Sequence, residues 1–186
     1  MAVLIEAISV VVRRGSIDQK YHGGWEAFLR AVPNATMCAD GEIVRVGFMD
    51  PQDVESFVVD LERHGLRFLD DGKAIDLAVA DQQRGLTAQC DWLEFGRVRF
   101  GDAEGKVAAC WFFDGPRIAS GIHMRSTSMQ LATPAGWQFE GSLSQRFGFV
   151  PSGQEDTRLK FLRSDGGVDV FLDLRTGKEV FMGRTK

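Results

Sequence analysis

The sequence predicts an α+β fold made of two units, an α+β unit over residues 1–84 and an antiparallel β unit over residues 85–186. Three observations carry this prediction. Both clear helical patterns lie within residues 1–65, the chain after Gly85 is rich in short strand and turn patterns, and the apolar N-terminal run is dominated by β-branched residues. No Pro- or Ser-rich linker separates the units, so the two halves are expected to pack together and can form one continuous domain.

Composition excludes several classes of partner. The chain has 186 residues, of which 44% are hydrophobic, and its 22 basic and 26 acidic side chains are mixed along the sequence. This apolar content is enough to close a core. Without a basic stripe to neutralise a phosphate backbone, we expect no nucleic-acid partner.

The three cysteines, Cys38, Cys90 and Cys110, are odd in number and far apart in the sequence. Such spacing fits neither a disulfide framework nor the close-spaced ligand pairs of a zinc site. We therefore expect reduced, buried thiols in a cytoplasmic protein.

The first strand is predicted over residues 3–12. Its alternating side chains are apolar on both faces, so we expect it to lie centrally in its sheet with both faces covered. Arg13 and Arg14 follow the apolar run instead of preceding it, which argues against a signal peptide. The run is also too short to cross a bilayer, and we expect no membrane association.

The first helix is predicted from four apolar residues at helical spacing, namely Trp25, Phe28, Leu29 and Val32. Ser16 and Gln19 have the spacing of a capping box and predict its start. Pro33 ends the pattern, and the pair Gly23-Gly24 marks a point at which the helix can break.

A hairpin and a second helix follow. Asp40-Gly41 predicts the turn of a hairpin between residues 36–40 and 43–49. Asp50 and Pro51 have the residue types of a helix cap and first helical position, and Gly65 is typical of a left-handed helix end.

A second hairpin is predicted around Asp71-Gly72, between residues 66–69 and 74–80. The resulting order of strand, helix, strand, strand, helix, strand resembles the ferredoxin-like βαββαβ plait, in which two helices cover one face of an antiparallel sheet. The resemblance implies a topology and no particular function. The β-rich C-terminal half, or a second subunit, is expected to cover the other face.

In the C-terminal half we predict a hairpin over residues 92–100 and 106–113, whereas segment 117–156 shows no regular pattern. Residues 157–183 predict a three-stranded meander with turns at Asp165-Gly166 and Arg175-Thr176-Gly177. These turns set Phe161 and Met182 opposite Val170. They set Leu159 and Val180 opposite Leu172.

The same register places Phe171 opposite Phe181 on a face that is otherwise charged. Stability within the sheet explains such an aromatic pair, and so does burial under a second copy of the chain. Both explanations stay open, and the second predicts Phe171 and Phe181 as the interface of a homodimer.

The sequence contains no metal or cofactor motif. The histidines His22, His64 and His123 lack the close spacing of metal ligands, and Asp70 and Asp71 belong to a turn. His64 is explained by its position at a helix C-terminus. We expect no metal and no cofactor.

A polar set lies where the two halves join. Gln82, Gln83, Arg84 and Trp92 combine amides, a guanidinium and an aromatic ring at an inter-layer position, and we predict them as ligand-binding residues. The alternative is a solvated connection followed by a core tryptophan.

These observations predict a non-catalytic, cytoplasmic ligand-binding or protein-interaction module whose partner is an unknown small molecule or protein. The alternative is a small cofactor-free enzyme with its active site in the cleft between the two halves, using Arg84 and His123, the latter acting with Cys110 or Ser126 as nucleophile. A deep enclosed pocket holding His123 or Glu94 with a shifted pKa would favour the enzyme, and a flat exposed apolar patch would favour the module.

Overall fold

The computed structural model describes residues 1–99, 106–113, 130–145, 148–149, 159–165, 168–174 and 177–183. The helices in this part of the chain are α1 (Arg14–Lys20), α2 (Gly24–Ala31) and α3 (Pro51–Arg63). The strands are β1 (Ala2–Ile5), β2 (Ile8–Arg13), β3 (Cys38–Ala39), β4 (Ile43–Phe48), β5 (Leu69–Asp70), β6 (Lys73–Ala74), β7 (Leu77–Asp81), β8 (Gly85–Leu86), β9 (Gln89–Cys90), β10 (Leu93–Arg99), β11 (Lys106–Phe112), β12 (Leu131–Ala132), β13 (Gly148–Phe149), β14 (Leu159–Asp165), β15 (Val168–Asp173) and β16 (Lys178–Gly183).

The structure is mixed α+β and mostly sheet, as the sequence predicts. A five-stranded sheet has the order β3-β4-β2-β7-β8, and each neighbouring pair is antiparallel. The helices cover one face of this sheet. The shared core is formed by residues of the sheet and helices, among them Val10, Val12, Val44, Val46, Leu77, Ile17, Phe28, Phe57 and Leu61.

A second sheet covers the opposite face. It has the order β10-β11-β1-β12, with β10, β11 and β1 antiparallel and β12 parallel to β1. The core between the two sheets contains residues of both, including Val11, Ile43, Ala78, Val3, Ile5, Ala108 and Cys110. Helices, five-stranded sheet and four-stranded sheet therefore form three layers. Among the described residues, no helix has the length and apolar character needed to span a membrane.

The predicted first strand is both confirmed and corrected. Its apolar residues are buried, and β1 and β2 each lie between two neighbours, as expected for two covered faces. The prediction of one continuous strand over residues 3–12 is wrong, because the chain bends at Glu6 and Ala7 and the two parts enter different sheets. Ala7 has a φ of 51°, a left-handed conformation that an alanine rarely adopts and that the apolar pattern does not signal.

The predicted first helix is two helices. The break falls at Gly23, whose φ is 86°, and α2 begins at Gly24. The capping-box prediction is wrong, because α1 begins at Arg14 and Ser16 lies within it. The Ser16 hydroxyl instead donates a hydrogen bond of 2.7 Å to the buried carboxylate of Asp76.

The second helix and the hairpins follow their local chemistry. Asp50 caps α3 by accepting a hydrogen bond of 2.8 Å from the Gln52 N–H, and Gly65 after the helix has a φ of 104°. Asp71 and Gly72 both have positive φ, as a two-residue hairpin turn requires. The predicted strand 74–80 is divided into β6 and β7, which belong to different sheets.

The hairpin of β10 and β11 and the three-stranded meander of β14, β15 and β16 are confirmed. The predicted register of the meander is wrong at both connections, by two residues beside the first connection and one beyond the bulge, and by one residue at the second. Phe171 lies opposite Phe161 and Val180, and Phe181 lies opposite Val170. The predicted Phe171–Phe181 pair is therefore absent from this sheet.

The register differs because both connections differ from the predicted turns. Asp165 pairs with Val168 and so belongs to the strand rather than to a turn. Asp173 pairs with Lys178, which adds Leu174 to the second connection. A bulge between Phe161 and Arg163 shifts the pairing once more within β14.

Candidate functional site

An open cavity of about 450 Å³ lies beside the bend between β1 and β2, and we call it the Glu6 cleft. Its lining residues are Glu6, Met49, Gly136, Trp137, Gln138, Glu140, Gly141, Ser142, Leu143 and Phe181. Glu6 joins β1 to β2, Met49 follows β4, and Phe181 lies on β16, so the cleft forms where three sheets meet the segment 136–143. Its volume is within the range of about 300–1,000 Å³ that is common for small-molecule sites.

The Glu6 carboxylate fixes one wall of the cleft. Its Oε1 atom accepts hydrogen bonds from the Ser144 N–H at 3.0 Å and the Ser144 hydroxyl at 2.8 Å, and its Oε2 atom accepts one from Trp137 Nε1 at 3.0 Å. These bonds join residues more than 130 positions apart in the chain. A carboxylate accepts about four hydrogen bonds, so Oε2 keeps one position for a further donor.

A buried arginine supports the bend from the inside. Arg45 is 3% exposed, and its guanidinium donates to Ser9 Oγ at 2.8 Å, the Thr36 carbonyl at 3.0 Å and the Glu6 carbonyl at 2.9 Å. Burial lowers the pKa of Arg45, with the negative charge of Glu6 among the effects that oppose it. Gly47 leaves room for it, because a Cβ at that position would collide with the guanidinium and displace it.

Gln82, which the sequence predicts as a ligand-binding residue, is only 4% exposed. Its Oε1 atom accepts a hydrogen bond of 3.0 Å from the N–H of Ala7, and its Nε2 atom donates one of 3.1 Å to the carbonyl of Leu143. The side chain therefore connects the bend to the wall of the Glu6 cleft from behind. It does not itself line the cleft.

The other predicted ligand-binding residues lie away from the Glu6 cleft. Gln83 and Arg84 are exposed in the turn after β7, where their N–H groups donate to Asp81 Oδ1 at 2.7 and 2.9 Å. Trp92 is 7% exposed, and its Nε1 atom donates to the Ala74 carbonyl at 3.1 Å. The structure does not gather the four residues around the cleft, and their contact with a ligand stays a prediction.

The predicted interface residues are also separated. Phe171 packs edge-to-face against Phe161, with ring centroids 5.6 Å apart, whereas Phe181 lines the Glu6 cleft. Phe161 is 53% exposed. A homodimer interface at Phe171 and Phe181 stays a prediction, without the direct pairing of the two rings on which it was based.

A second, smaller cavity of about 170 Å³ is lined by Arg13, Gly15, Ser16, Gln19, Lys20, Glu42 and Phe112. Beside it, the buried Asp76 accepts hydrogen bonds from Ser16 Oγ, Lys20 Nζ and the Arg67 N–H at 2.7, 2.7 and 2.9 Å. Burial by itself would raise the pKa of Asp76, but these bonds outweigh it, so that the pKa is lowered. Asp76 therefore joins α1 to the strands as a structural anion.

The remaining groups with shifted pKa values also lie outside the Glu6 cleft. Burial raises the pKa of the thiols of Cys38 and Cys110 and of the Tyr21 hydroxyl. The Tyr21 ring stacks on His64 at a centroid distance of 5.0 Å, and its buried hydroxyl has no hydrogen-bond partner among the described residues. Each shift is explained by the packing of the protein.

Three groups named for the enzyme alternative have different outcomes. Glu94 accepts a hydrogen bond of 2.9 Å from Trp111 Nε1, and it does not line the Glu6 cleft. His123 and Ser126 lie outside the described residues. Within the described ranges, no group of three or more His, Cys, Asp or Glu side chains is arranged to hold a metal ion.

Sequence reasoning missed Glu6, Trp137 and the glycine-containing segment 136–143. Glu6 is the only carboxylate within the largely apolar run of residues 1–12, and that charge is the one signal of the bend available from the sequence. Trp137 belongs to the segment without a regular pattern. Comparisons with models of known families, with curated proteins and with solved structures found no match to this chain.

Proposed function

We propose that this protein is a non-catalytic binding module that holds its ligand in the Glu6 cleft. The observation that carries the proposal is an open cavity of ligand size with a wall fixed by long-range hydrogen bonds. Because Glu6, Ser144 and Trp137 are already held in place, a ligand would not need to order that wall on binding.

The chemistry of the lining residues favours binding over catalysis. Among the described residues, the groups with shifted pKa values are all absent from the lining of the cleft, namely Tyr21, Cys38, Arg45, Asp76 and Cys110. The hydroxyl of Ser142 lines the cleft but donates to the Phe139 carbonyl at 2.8 Å. No described lining residue is a histidine, cysteine or lysine that could activate a nucleophile.

The proposal is tested by titrating ¹⁵N-labelled protein with a library of small cationic, anionic and neutral fragments. We expect the amide and indole signals of residues 136–143 to shift. Gln138→Trp places an indole in the cleft and should weaken binding at least tenfold. Gln89→Trp, at an exposed position of β9, is the matched control and should leave it unchanged. Fragments that shift only signals elsewhere would contradict the proposal.

One double variant separates the cleft from the junction predicted by the sequence. Substituting both Gln83 and Arg84 with Ala changes two exposed side chains that do not line the cleft. The cleft proposal predicts unchanged fragment affinity in this variant. Loss of binding in the folded double variant would favour the junction instead.

We propose further that the five-stranded sheet and its helices are a ferredoxin-like plait. The strand order β3-β4-β2-β7, the antiparallel pairing of each neighbour and the positions of α1, α2 and α3 along the chain support this topology. A crystal structure with a different strand order would contradict it.

A cytoplasmic location and self-association belong to the same proposal. Three free, buried cysteines are typical of a reducing compartment. The exposed ring of Phe161 and the 40% exposed Leu162 on the edge strand β14 support contact with a second copy. A protein that sediments as a monomer at high micromolar concentration would contradict self-association.

A further inference from the structure

Resting on the proposed binding function, we infer that the Glu6 cleft recognises an organic cation, an alkylammonium group attached to a short apolar chain. The charged lining residues are both carboxylates, Glu6 and Glu140. No lysine, arginine or histidine is among the described residues that line the cleft. The cleft therefore has the charge complementary to an ammonium group.

The two carboxylates are available in different ways. Glu140 is exposed, and within the described part of the chain it has neither a hydrogen-bond donor nor an ion-pair partner. Glu6 is oriented by Ser144 and by Trp137, and its Oε2 atom accepts one hydrogen bond and keeps one position for another donor. A ligand ammonium carries three donors and can engage both carboxylates.

Within the described part of the chain, Arg45 is a positive charge that opposes this attraction. Its guanidinium donates to the Glu6 carbonyl from the core side, is 3% exposed and does not line the cleft. One buried positive charge behind the wall offsets at most one of the two carboxylates. The charges of the described lining residues consequently leave a negative field on the open side, where a concave surface concentrates it.

The apolar part of the lining suits a carbon chain next to that charge. Trp137, Phe181 and Met49 supply two aromatic rings and a thioether. Aromatic rings attract cations as well as apolar groups, so they favour an ammonium over a carboxylate of equal length. An anionic ligand would be repelled by Glu6 and Glu140, and a neutral one would gain no charge–charge attraction from them, only a hydrogen bond.

The first test uses three probes of equal chain length, namely hexylammonium, hexanol and hexanoate. Each is titrated into the full chain, and binding is measured from the indole N–H signal of Trp137 and from calorimetry. We expect hexylammonium to bind at least tenfold more tightly than hexanoate, and its affinity to fall as NaCl is raised. Equal or tighter binding of hexanoate or hexanol would overturn the inference.

The second test removes the charges one at a time. Glu140→Gln should weaken hexylammonium about threefold, the effect of one exposed ion pair. Glu6→Gln should weaken it about tenfold, because that carboxylate is held in place. Glu55→Gln, on the exposed side of α3, is the matched control and should change nothing. Unchanged affinity in both Glu140→Gln and Glu6→Gln would overturn the inference.

The two sources of an alkylammonium group are separated by a third comparison. Lysine blocked at both backbone ends represents a side chain of a protein partner, and hexylammonium represents a free amine. Tighter binding of blocked lysine assigns the cleft to a partner protein, and tighter binding of hexylammonium assigns it to a small amine. Detectable binding of neither would overturn the inference.

Failure of this inference is distinguishable from failure of the proposed function. If hexanol or hexanoate binds at least as tightly as hexylammonium and Gln138→Trp abolishes that binding, the cleft is a ligand site and its preference for cations is wrong. If no fragment of any charge shifts the signals of residues 136–143, the proposed function itself is wrong.

Discussion

The N-terminal strands β1 and β2 and the C-terminal meander differ in how far their side chains are buried. Every residue of β1, and all of β2 except its last, is buried. In β14, residues 161–164 are all exposed. Sequence patterning placed strands in both regions, but it joined β1 and β2 into one strand and predicted the meander's pairing one or two residues away from the observed one. The apolar pattern of β1 and β2 therefore predicts burial of both faces, whereas the pattern of the partly exposed meander does not determine its register.

The meander is ambiguous because its apolar residues do not alternate with polar ones. Val170 is fully buried, and the next residue, Phe171, which points to the opposite face, is also partly buried, as is Leu172. A shift of one residue exchanges one apolar face for the other, so the pattern cannot distinguish the two registers. The connections then decide the pairing, and both differ from the predicted turns.

The largest expected effect concerns the buried hydrogen bonds of the N-terminal region. Arg45→Ala leaves Ser9 Oγ and the carbonyls of Thr36 and Glu6 without their donor and opens a cavity. We expect a loss of about 3–5 kcal/mol in the free energy of unfolding. Urea denaturation measures it.

Arg84→Ala, at an exposed turn, is the control and should change the free energy of unfolding by less than about 0.5 kcal/mol. A loss below about 1 kcal/mol in Arg45→Ala would show that the buried network does not stabilise this region.

The bend itself is tested by Gln82→Ala. This variant leaves the buried N–H of Ala7 without its side-chain acceptor and removes a bond to Leu143 in the cleft wall. We expect a loss of about 2–3 kcal/mol, measured by urea denaturation, together with a shift of the Trp137 indole signal. If the stability of Gln82→Ala matched that of the neighbouring Gln83→Ala, the role of Gln82 at the bend would be refuted.

Asp76 provides a pH-dependent test of the same region. Its pKa is lowered in the folded protein, so the unfolded state, whose carboxyl titrates near 3.8, binds more protons as the pH falls. The contribution of Asp76 is therefore complete above pH 3.8 and is lost as the pH drops through the lower folded value.

Asp76→Asn should destabilise the protein by about 1–2 kcal/mol at pH 7, because it weakens the bonds from Ser16 and Lys20. Thermal unfolding of wild type and variant between pH 7 and pH 2.5 should show the two converging in acid. A constant difference across this range would contradict the expected titration.

The smallest effect concerns the meander. A double-mutant cycle with Phe161→Ala and Phe171→Ala should give a coupling of about 0.5–1 kcal/mol, because the two rings are in contact. The matched cycle with Phe171→Ala and Phe181→Ala should give a coupling near zero. Reversal of the two results would restore the register predicted from the sequence.

The features of the fold that depend on neighbouring residues are predictable from the sequence. Asp50 and Gly65 mark the ends of α3 because capping is local chemistry, and Asp71-Gly72 specifies its hairpin by backbone conformation. The apolar residues of β1 and β2 likewise predict two covered faces. These determinants lie within a few residues of the element that they define.

Only the tertiary structure decided the bend, the burial of Arg45 and the existence of the Glu6 cleft. At the bend, the N–H of Ala7 donates a hydrogen bond to the side chain of Gln82, 75 positions away in the sequence. The Glu6 carboxylate accepts one from Ser144, 138 positions away. Such partners are interchangeable polar residues in the sequence and carry no local pattern. Their pairing becomes determined when the three layers pack, because a polar group buried there must find a hydrogen-bond partner from whichever element lies beside it.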